Sequence, residues 1–415
     1  MEKIVIIGGG AAGMAAGVFL GEQGHKVHIF EKNEKLGKKL FITGKGRCNL
    51  TNSCDEETFF QSVVTNPKFL YSAFYGFTNQ DAVRFFENLG LRVKEERGGR
   101  IFPVSDHSSD VIGVLEKRLK HLDVKIHLKS QVREILTEDG PEGEKRAKGI
   151  VLENGAEILA DRVIVATGGY SYQATGSTGD GYRFAKDTGH LVTDIRPALV
   201  PVETKEEYIT RMQGLSLKNV ELTVKNGKKV LYKNFGELLF THFGMSGPLV
   251  LTASSYIGKQ LEKGPLQGFL DLKPALTAEQ LDRRLLREFE EGRNRQFKNV
   301  ITGWFPAKLY PVMLKLGGIL PEKKVHEITR EERMAFLDKV KNFPFTITGL
   351  GDFREAIITQ GGVKVKEIDP GTMESKKVKN LYFIGEVLDL DAVTGGFNLQ
   401  IAWSTAKAAA REKII

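Results

Sequence analysis

The sequence predicts an α/β protein in which a parallel-strand domain is built from both chain ends and interrupted by a β-rich insertion. Three observations predict this fold class. A glycine-rich turn follows the first apolar run, at residues 8–13, and the pattern changes to strand-like alternation after about residue 193. After residue 380 an apolar run, a glycine turn and a helical pattern return. Because strand, turn and helix recur at both ends, we expect the two ends to share one parallel sheet.

The first thirty residues predict a βαβ unit. Residues 3–7 (KIVII) are a short apolar run ending in glycines, which is typical of a buried parallel strand. The stretch AAGMAAGVFLGEQG predicts a helix of small residues that ends at Gly24, and KVHIFEK, from Lys26, predicts a second strand. Together these elements have the length expected of one βαβ unit, about thirty residues.

The middle of the sequence has a different pattern. The segments between about 200 and 245 alternate polar and apolar residues, and Asn226-Gly227 is a strong hairpin signal. Residues 275–340 change to helical periodicity, which begins at Thr277 with a glutamine three positions later, as in a capping box. Strand patterns resume from residue 355. We therefore predict a β-rich insertion that is itself interrupted by helices.

Composition narrows the class of protein. The 415 residues are 41% hydrophobic and 27% charged, which indicates a globular chain of two or three domains. No run approaches the roughly 18 consecutive apolar residues of a membrane span, so we expect a cytoplasmic protein without a membrane partner. The net charge is +8, and the segment from Lys273 to Lys341 holds fifteen Lys or Arg against ten Asp or Glu. This excess allows nucleic acid as a partner, but a solvated helical surface is favoured.

Gly8, Gly10 and Gly13 form a G-x-G-x-x-G pattern between the first strand and the first helix. In such a turn the first glycine permits the tight bend, the second lets a pyrophosphate approach the backbone, and the third lets the helix pack on the strand. Glu31 ends the second strand and can accept hydrogen bonds from an adenosine ribose. A 2′-phosphate about 4 Å away would be repelled by about 4 kcal/mol per charge at an effective dielectric near 20. The motif therefore predicts FAD or NAD, and not NADP.

Motifs along nearly the whole chain resemble one family. They are GGGAAG at 8–13, GKKLFITGKGRCNLTN at 37–52, ATGG at 166–169, GSTGDGY at 176–182, GELLFTHFGMSGP at 236–248 and MESKKVKNLYFIGEVLDLDAVTGGFNLQIAWSTA at 373–406. In these motifs the chain resembles the YhiN-like (BaiN/RdsA-type) flavoprotein family, whose members are predicted NAD(P)/FAD-dependent oxidoreductases. The resemblance favours FAD over NAD as the dinucleotide.

The resemblance also implies a domain organisation. It implies a glutathione-reductase-type FAD-binding Rossmann domain at residues 1–193 and 355–415. An inserted β-barrel domain at 194–272 and 328–354 would carry a helical subdomain at 273–327. FAD would be held non-covalently in an extended form.

The resemblance further implies a set of cofactor-binding residues. Val132 would lie beside the adenine, Gly385 and Glu386 along the ribityl chain, and residues 395–398 at the pyrimidine edge of the flavin. There the positive end of a helix would meet the negative charge that a reduced flavin carries at N1 and O2. The full set is Gly8, Gly10, Ala11, Ala12, Gly13, Glu31, Lys32, Lys39, Gly44, Arg47, Cys48, Asn49, Val132, Ala166, Thr167, Gly168, Gly385, Glu386, Gly395, Gly396, Phe397, Asn398 and Leu399.

The stretch TGKGRCNLTN, residues 43–52, combines two glycines, two basic residues and a cysteine. The favoured interpretation is a cofactor cradle, in which the glycines give backbone access and the basic residues give positive charge; the alternative is a solvated basic loop. A dithiol relay is disfavoured because Cys48 and Cys54 are six positions apart, which places them on different sides of a helix. A metal site is not predicted, since the eight histidines do not cluster.

Candidate catalytic residues are few. His242 precedes a Ser-Gly-Pro turn in the inserted β domain, and we predict that it faces the flavin, with a packed histidine as the equal alternative. Arg354 and Gln360 lie where the chain re-enters the nucleotide-binding domain and are predicted to contact an anionic or carbonyl substrate. Structural salt bridging or hydrogen bonding is their alternative role. Tyr172, shortly after ATGG, is a further candidate.

These observations predict an FAD-dependent oxidoreductase that transfers a hydride between flavin N5 and a small-molecule substrate, which enters between the two domains. No second G-x-G-x-x-G lies between a strand and a helix, so NAD(P)H can act only as a transient electron donor. Two other classes stay open. One is a flavin-containing RNA-modifying or RNA-binding protein, and the other is a regulatory NAD-binding module without turnover.

Overall fold

Two units divide the chain in the computed structural model, which describes residues 1–140 and 143–411. Unit 1 comprises Met1–Pro197 together with the residues from Phe353 onward, and unit 2 comprises Ala198–Asp352. Each unit has its own cluster of buried apolar side chains. The two ends of the chain therefore belong to the same unit, as the sequence predicts, while unit 2 includes both the predicted barrel and the predicted helical segment.

The strands of both units are short, apart from two long strands in the middle of the chain. In chain order they are β1 (Lys3–Ile7), β2 (Lys26–Phe30), β3 (Thr51–Asn52), β4 (Val63–Thr65), β5 (Val93–Glu96), β6 (Arg100–Pro103), β7 (Lys125–His127), β8 (Val132–Asp139), β9 (Lys145–Leu152), β10 (Glu157–Leu159), β11 (Arg162–Val165), β12 (Arg196–Ala198), β13 (Val202–Thr204), β14 (Ser216–Asn226), β15 (Lys229–Phe240), β16 (Gly244–Ser246), β17 (Leu266–Asp271), β18 (Phe343–Leu350), β19 (Ile358–Gln360), β20 (Val378–Lys379), β21 (Leu381–Phe383) and β22 (Asp391–Ala392).

The helices range from a single turn to four turns. In chain order they are α1 (Ala11–Glu22), α2 (Lys38–Ile42), α3 (Glu56–Ser62), α4 (Tyr71–Gly76), α5 (Asn79–Asn88), α6 (Ser108–His121), α7 (Asp180–Asp187), α8 (Glu207–Arg211), α9 (Pro248–Leu261), α10 (Ala278–Glu291), α11 (Phe297–Val300), α12 (Tyr310–Leu316), α13 (Arg330–Lys341) and α14 (Phe397–Ala409). Within the described ranges, none of the helices is both long enough and apolar enough to cross a membrane.

A five-stranded parallel sheet forms the centre of unit 1, with the strand order β21-β11-β1-β2-β7. The amino-terminal strand β1 is thus separated from the carboxy-terminal strand β21 by β11 alone. Side chains on both faces of β1 and β11 are buried, which explains why their sequences are continuous apolar runs. This sheet confirms the predicted fold class for the nucleotide-binding part of the chain.

Helix α1 is buried along almost its whole length, from Ala12 to Gly21. A Cβ atom on Gly17 would lie 2.8 Å from Leu119 and 2.9 Å from Ile29, and one on Gly21 would lie 3.1 Å from Leu122. Small residues at four-residue spacing therefore let α1 approach both β2 and α6 closely. Each such glycine weakens the helix by roughly 0.5–1 kcal/mol, which the closer packing offsets.

Unit 2 contains a closed antiparallel barrel with the strand order β13-β16-β15-β14-β17-β18, and the predicted inserted barrel is thereby confirmed. The hairpin predicted at Asn226-Gly227 joins β14 to β15, where Asn226 pairs with Lys229. Helices α10 and α13 begin with complete capping boxes, at Thr277 and at Thr329. The predicted boundary between the barrel and the helical subdomain, at residues 272 and 327, stays a prediction because both parts belong to unit 2.

Candidate functional site

The amino-terminal glycine turn, Gly8–Gly13, joins β1 to α1. Gly8 has a φ of 106°, and a Cβ there would lie 2.5 Å from the carbonyl oxygen of Ala166. A Cβ on Gly13 would collide with the carbonyl oxygen of Gly8. Gly10 is different, because no atom lies within 4 Å of the position that its Cβ would take. Gly8 and Gly13 are thus needed by the fold itself, whereas Gly10 leaves an open approach to the start of α1.

Glu31 lies at the end of β2, only 8% exposed, and its carboxylate is held on both oxygens. The Gly9 amide donates to Oε2 at 2.8 Å, and Asn33 donates to Oε1 from its backbone at 2.8 Å and its side chain at 2.7 Å. The adjacent Lys32 pairs with Asp180 at 2.7 Å. Val132 is buried at the start of β8, two residues after Ser130, whose amide donates to the Glu31 carbonyl oxygen. The residues predicted for the adenosine end therefore lie at one edge of the sheet.

Glu386 is the centre of a polar cluster that follows β21. Its Oε2 accepts from Lys39 Nζ at 2.7 Å, and its Oε1 accepts from the Thr359 amide at 3.0 Å. Lys39 also donates to Ser171 Oγ at 2.7 Å, and Ser171 is fully buried. The preceding Gly385 has a φ of 72° and donates its amide to Thr405 Oγ1 at 3.0 Å. Two predicted cofactor residues from opposite ends of the chain, Lys39 and Glu386, thus form one ion pair.

The carboxy-terminal glycine turn, Gly395–Asn398, precedes and begins α14. Gly395 and Gly396 have φ values of 134° and 99°. Asn52 Nδ2 donates to the Gly395 carbonyl at 3.0 Å, and a Cβ on Gly396 would collide with the Thr51 carbonyl. Asn398 binds both backbone groups of Ala392: its Nδ2 donates to the Ala392 carbonyl oxygen at 2.7 Å, and its Oδ1 accepts from the Ala392 amide at 3.0 Å. The structure therefore brings the 43–52 loop against the turn predicted for the flavin.

Five further predicted cofactor residues belong to or adjoin these turns and the end of β11. Ala166 is buried where β11 ends, and Gly168 adopts a φ of 72° next to Ser177. Phe397 is buried against Phe59, with the ring centroids 6.0 Å apart. Leu399 and Thr167 are half-buried, and the Thr167 hydroxyl is buried without a hydrogen-bond partner among the described residues.

The 43–52 loop has an unusual backbone, since Gly44, Lys45, Gly46 and Cys48 all have φ values between 59° and 84°. A Cβ atom on Gly44 would lie 3.2 Å from the backbone nitrogen of Asn49, so this glycine packs closely on the next turn of the loop. The Asn49 Oδ1 atom is buried and has no hydrogen-bond partner within residues 1–140 and 143–411. A buried amide oxygen without a donor is expensive, so this atom is suited to accept a hydrogen bond from a ligand.

Arg47 is engaged by protein carboxylates. Its Nη2 lies 2.5 Å from Glu96 and 2.5 Å from Asp106, and its guanidinium stacks 4.3 Å from the Phe102 ring centroid. The pairing raises the pKa of Arg47 above its ordinary value and lowers the pKa of Glu96. These contacts anchor the loop to β5 and β6, and the predicted contact of Arg47 with the cofactor stays a prediction.

The two cysteines are poor nucleophiles. Cys48 is fully buried, and burial raises the pKa of its thiol far above the ordinary range. Burial, with a smaller contribution from Asp55, raises the pKa of Cys54 to about 11. Both thiols are free, and neither provides the thiolate that redox exchange requires near neutral pH. The geometry supports the interpretation of Cys48 as a packed residue of the loop.

The catalytic candidates are divided between the two units. His242 is exposed in unit 2 after β15, with its ring against Phe243. Arg354 is exposed in unit 1, and Tyr172 is half-buried with a φ of 55°. Gln360 is half-buried on β19 and donates from Nε2 to Asp391 Oδ2 at 3.1 Å. Of these four residues, Gln360 has the most direct link to the carboxy-terminal glycine turn.

Asp391 was not predicted as a site residue. It is fully buried in β22, and burial raises the pKa of its carboxyl to about 6. Its Oδ1 atom has no hydrogen-bond partner in the part of the chain that the structure describes. The available signal is a pair of acids that alternate with apolar residues before a glycine turn, as in LDLDAV.

The residues present fit FAD. The open space at Gly10 lies at the N-terminus of α1, where backbone N–H groups without intrahelical partners favour phosphate. The glycine turns after β1 and before α14 both belong to unit 1. Among the described residues no group of three His, Cys, Asp or Glu side chains is arranged to hold a metal ion.

This combination of a parallel sheet, a phosphate-compatible turn and a terminal acid on the second strand defines a Rossmann-type FAD-binding protein. The chain belongs to the HI0933-like protein Rossmann domain family, which matches residues 2–412. The resemblance derived from the motifs is therefore confirmed, and the protein is an FAD-dependent oxidoreductase. The alternative of a NAD-binding module without turnover is set aside.

Two relatives cover nearly the whole chain. The chain is 32% identical to the 3-dehydro-bile acid delta(4,6)-reductase of Clostridium scindens over 415 residues, 99% of this chain and 98% of that protein. It is 32% identical to the ribosomal RNA dihydrouridine synthase of Haemophilus influenzae over 409 residues, 98% of this chain and 97% of that protein.

Solved structures show the same fold at low sequence identity. The 3-ketosteroid delta1-dehydrogenase from Sterolibacterium denitrificans has a TM-score of 0.53 at 15% identity, covering 99% of this chain and 98% of that chain. The 3-ketosteroid-delta4-(5alpha)-dehydrogenase from Rhodococcus jostii RHA1 has a TM-score of 0.54 at 14% identity, covering 99% and 97%. These similarities support the fold class alone.

Proposed function

We propose that the protein holds FAD non-covalently in extended form and reduces a carbon–carbon double bond of a small organic substrate. The observation that carries this proposal is the placement of both glycine turns in unit 1, around strands β1, β11 and β21 of one sheet. When bound, FAD supplies a hydride donor and acceptor at N5. The chain supplies binding, orientation and the charge environment.

The residues of unit 1 divide this work between the two turns. The start of α1 and the open backbone at Gly10 bind the pyrophosphate, and Glu31 accepts from the adenosine ribose. Glu386, held by Lys39, accepts from ribityl hydroxyls. The first turn of α14, after Gly396, stabilises negative charge at the pyrimidine edge by roughly 0.3–1 kcal/mol, and up to about 2 kcal/mol where it is partly buried.

The class of substrate follows from the chemistry that two relatives share. A bile acid delta(4,6)-reductase and a dihydrouridine synthase both saturate carbon–carbon double bonds, and the double bond of uracil is conjugated to a carbonyl. Conjugation makes the distal carbon electrophilic, so that carbon accepts the hydride and its neighbour accepts a proton. We therefore propose an enone-type small molecule as the substrate and NAD(P)H as a transient electron donor that binds and leaves without a Rossmann domain of its own.

A second candidate is the reduction of uridine in RNA. It is favoured by the relatives named ribosomal RNA dihydrouridine synthase and by the excess of cations between Lys273 and Lys341. Many of those cations have carboxylate partners within unit 2, such as Arg333 with Asp282 at 2.6 Å and Lys323 with Glu332 at 2.7 Å. Since paired cations attract phosphates less strongly, the small-molecule function is the preferred proposal.

The test is anaerobic re-oxidation of the reduced flavoprotein. The purified protein is reconstituted with FAD, reduced with dithionite, and mixed in turn with a 3-oxo steroid enone, uridine and ribosomal RNA while flavin absorbance is recorded. Rapid recovery of the absorbance with the enone alone supports the proposal. Recovery with RNA alone selects the second candidate, and the absence of any flavin spectrum after reconstitution contradicts both.

A further inference from the structure

The carboxyl of Asp391 is the buried acid that lies closest in sequence to the carboxy-terminal glycine turn. The residue is fully buried, its Oδ2 accepts from Gln360 Nε2 at 3.1 Å, and its Oδ1 has no partner in the described residues. The next residue, Ala392, is bound on both backbone groups by Asn398 in the first turn of α14. The Asp391 backbone is therefore fixed to the helix end that we assign to the flavin.

Within residues 1–140 and 143–411, no cation is among the groups that act on the Asp391 carboxyl. Strands β4 and β19, which pack on β22, carry no titratable side chain, and the only one on α14 is Lys407, ten residues beyond the start of the helix. On its own segment the nearest acid is Asp389, whose charge opposes ionisation of Asp391. Burial is the largest cause of the raised pKa of Asp391, about 6, and hydrogen bonds to Thr65 and Gln360 act against it.

We propose that Asp391 takes up one proton from solvent when the bound flavin receives two electrons, and so makes the flavin potential depend more steeply on pH. This inference rests on the proposed placement of the flavin at the turn before α14. An ionised Asp391 and a reduced flavin are both anions, and the residue after Asp391 is bound to the first turn of α14, whose positive end we assign to the flavin. Because the flavin gains charge on reduction, the carboxylate is the group that gives up its charge by protonation.

The balance of the step is simple. A donor of the dihydronicotinamide class would transfer a hydride to the flavin, with cleavage of its own C–H bond and oxidation to the nicotinamide. In the test, dithionite would supply two electrons and be oxidised to sulfite, and the proton on the flavin ring would come from solvent. In either case a second proton from solvent forms the O–H bond on Asp391, which is thus a positioning residue for charge and stays within hydrogen-bond distance of Gln360.

The experiment measures the midpoint potential of the FAD-reconstituted protein between pH 5 and pH 8 for the wild type and for Asp391→Asn. One proton per two electrons corresponds to 29.6 mV per pH unit. Near pH 7, where Asp391 is largely ionised in the oxidised protein, the wild-type slope should exceed that of Asp391→Asn by close to this amount. Asp389→Asn is the matched control, and it should keep the extra slope.

A second measurement does not need the Asp391 variant. Redox-difference infrared spectra of the wild type and of Asp389→Asn should both show the carbonyl band of a protonated carboxylic acid on reduction. Equal slopes in all three proteins, or the loss of this band in Asp389→Asn, would overturn the inference while leaving FAD binding intact. If reconstitution gives no flavin spectrum at all, the proposed function fails and the inference fails with it.

Discussion

The two glycine turns of unit 1 share a steric constraint but differ in where their partners lie in the sequence. In both turns a glycine faces a backbone oxygen where no Cβ fits: Gly13 faces the Gly8 carbonyl, Gly8 the Ala166 carbonyl, and Gly396 the Thr51 carbonyl. The carboxy-terminal turn is also held by two asparagine side chains, with Asn52 on the Gly395 carbonyl and Asn398 on Ala392. Part of the first turn therefore follows from glycine spacing within a few positions, whereas the second depends on Thr51 and Asn52, more than 300 residues away in the sequence.

The amino-terminal turn also contains its own contrast. Gly13 is closed in by the Gly8 carbonyl, while Gly10 has open space at its Cβ position. Substitution of Gly13 by alanine therefore tests the packing of the fold, whereas substitution of Gly10 by alanine tests the binding of the cofactor.

The largest expected effect is that of Gly13→Ala. The added methyl must displace the Gly8 backbone or α1, and overpacking of this kind costs about 1–3 kcal/mol or more. We expect a lower midpoint of urea unfolding together with loss of bound FAD.

The matched control is Gly10→Ala, which should unfold at the wild-type urea concentration but bind FAD at least tenfold more weakly, as measured by flavin fluorescence. Equal loss of stability in both variants would remove the distinction between a packing glycine and a cofactor glycine.

A substitution next to the carboxy-terminal turn, at Asp391, is expected to change the free energy of unfolding by nearly the same amount, but to stabilise the protein. The pKa of Asp391 rises from an ordinary 3.8 to about 6 on folding, so the folded protein binds this proton more tightly than the unfolded chain does. Stability from this group is full below about pH 4 and is lost as pH rises through about 6, a difference of about 3 kcal/mol.

Asp391→Asn should therefore be more stable than the wild type at pH 7.5, by up to about 3 kcal/mol, and the advantage should fall by about 2 kcal/mol when the pH is lowered to 4.5, which still lies above the unfolded-state pKa of 3.8. Urea unfolding of the FAD-loaded proteins at both pH values measures it. A wild type that is more stable than the variant at pH 7.5 would show that Asp391 is ionised without penalty.

The link between the 43–52 loop and the carboxy-terminal turn can be broken with Asn52→Ala. The change removes donors to the Gly98 and Gly395 carbonyls, so we expect a loss of about 1–2 kcal/mol. It should also shift the visible spectrum of the bound flavin. Asn299→Ala, an exposed asparagine in unit 2, is the control and should change neither quantity.

The smallest effect is expected for the cysteines. Dithionite should reduce the flavin of the Cys54→Ser variant at a rate within about twofold of the wild-type rate. The reason is that the pKa of Cys54 is raised to about 11, which leaves almost no thiolate at pH 7.5. Stopped-flow absorbance measures this rate. If the rate of flavin reduction fell by more than tenfold, the result would instead support the dithiol relay that the spacing of Cys48 and Cys54 disfavours.

The sequence by itself determined the features that depend on local pattern. Apolar runs predicted β1, β11 and β21, the G-x-G-x-x-G spacing predicted the first turn, and Thr277 predicted a capping box that the structure contains. These features are readable because each arises from residues within a few positions of one another. Family motifs then extended the prediction to FAD and to the inserted barrel.

Only the tertiary structure decided which charges are neutralised and which polar atoms are left without partners. Arg47 was predicted to bind the cofactor, and the structure pairs it with Glu96 and Asp106; Asp391 was not predicted as a site residue, and the structure buries it. The physical reason is that desolvation and ion pairing depend on neighbours brought from distant strands, and no local pattern in the sequence specifies those neighbours.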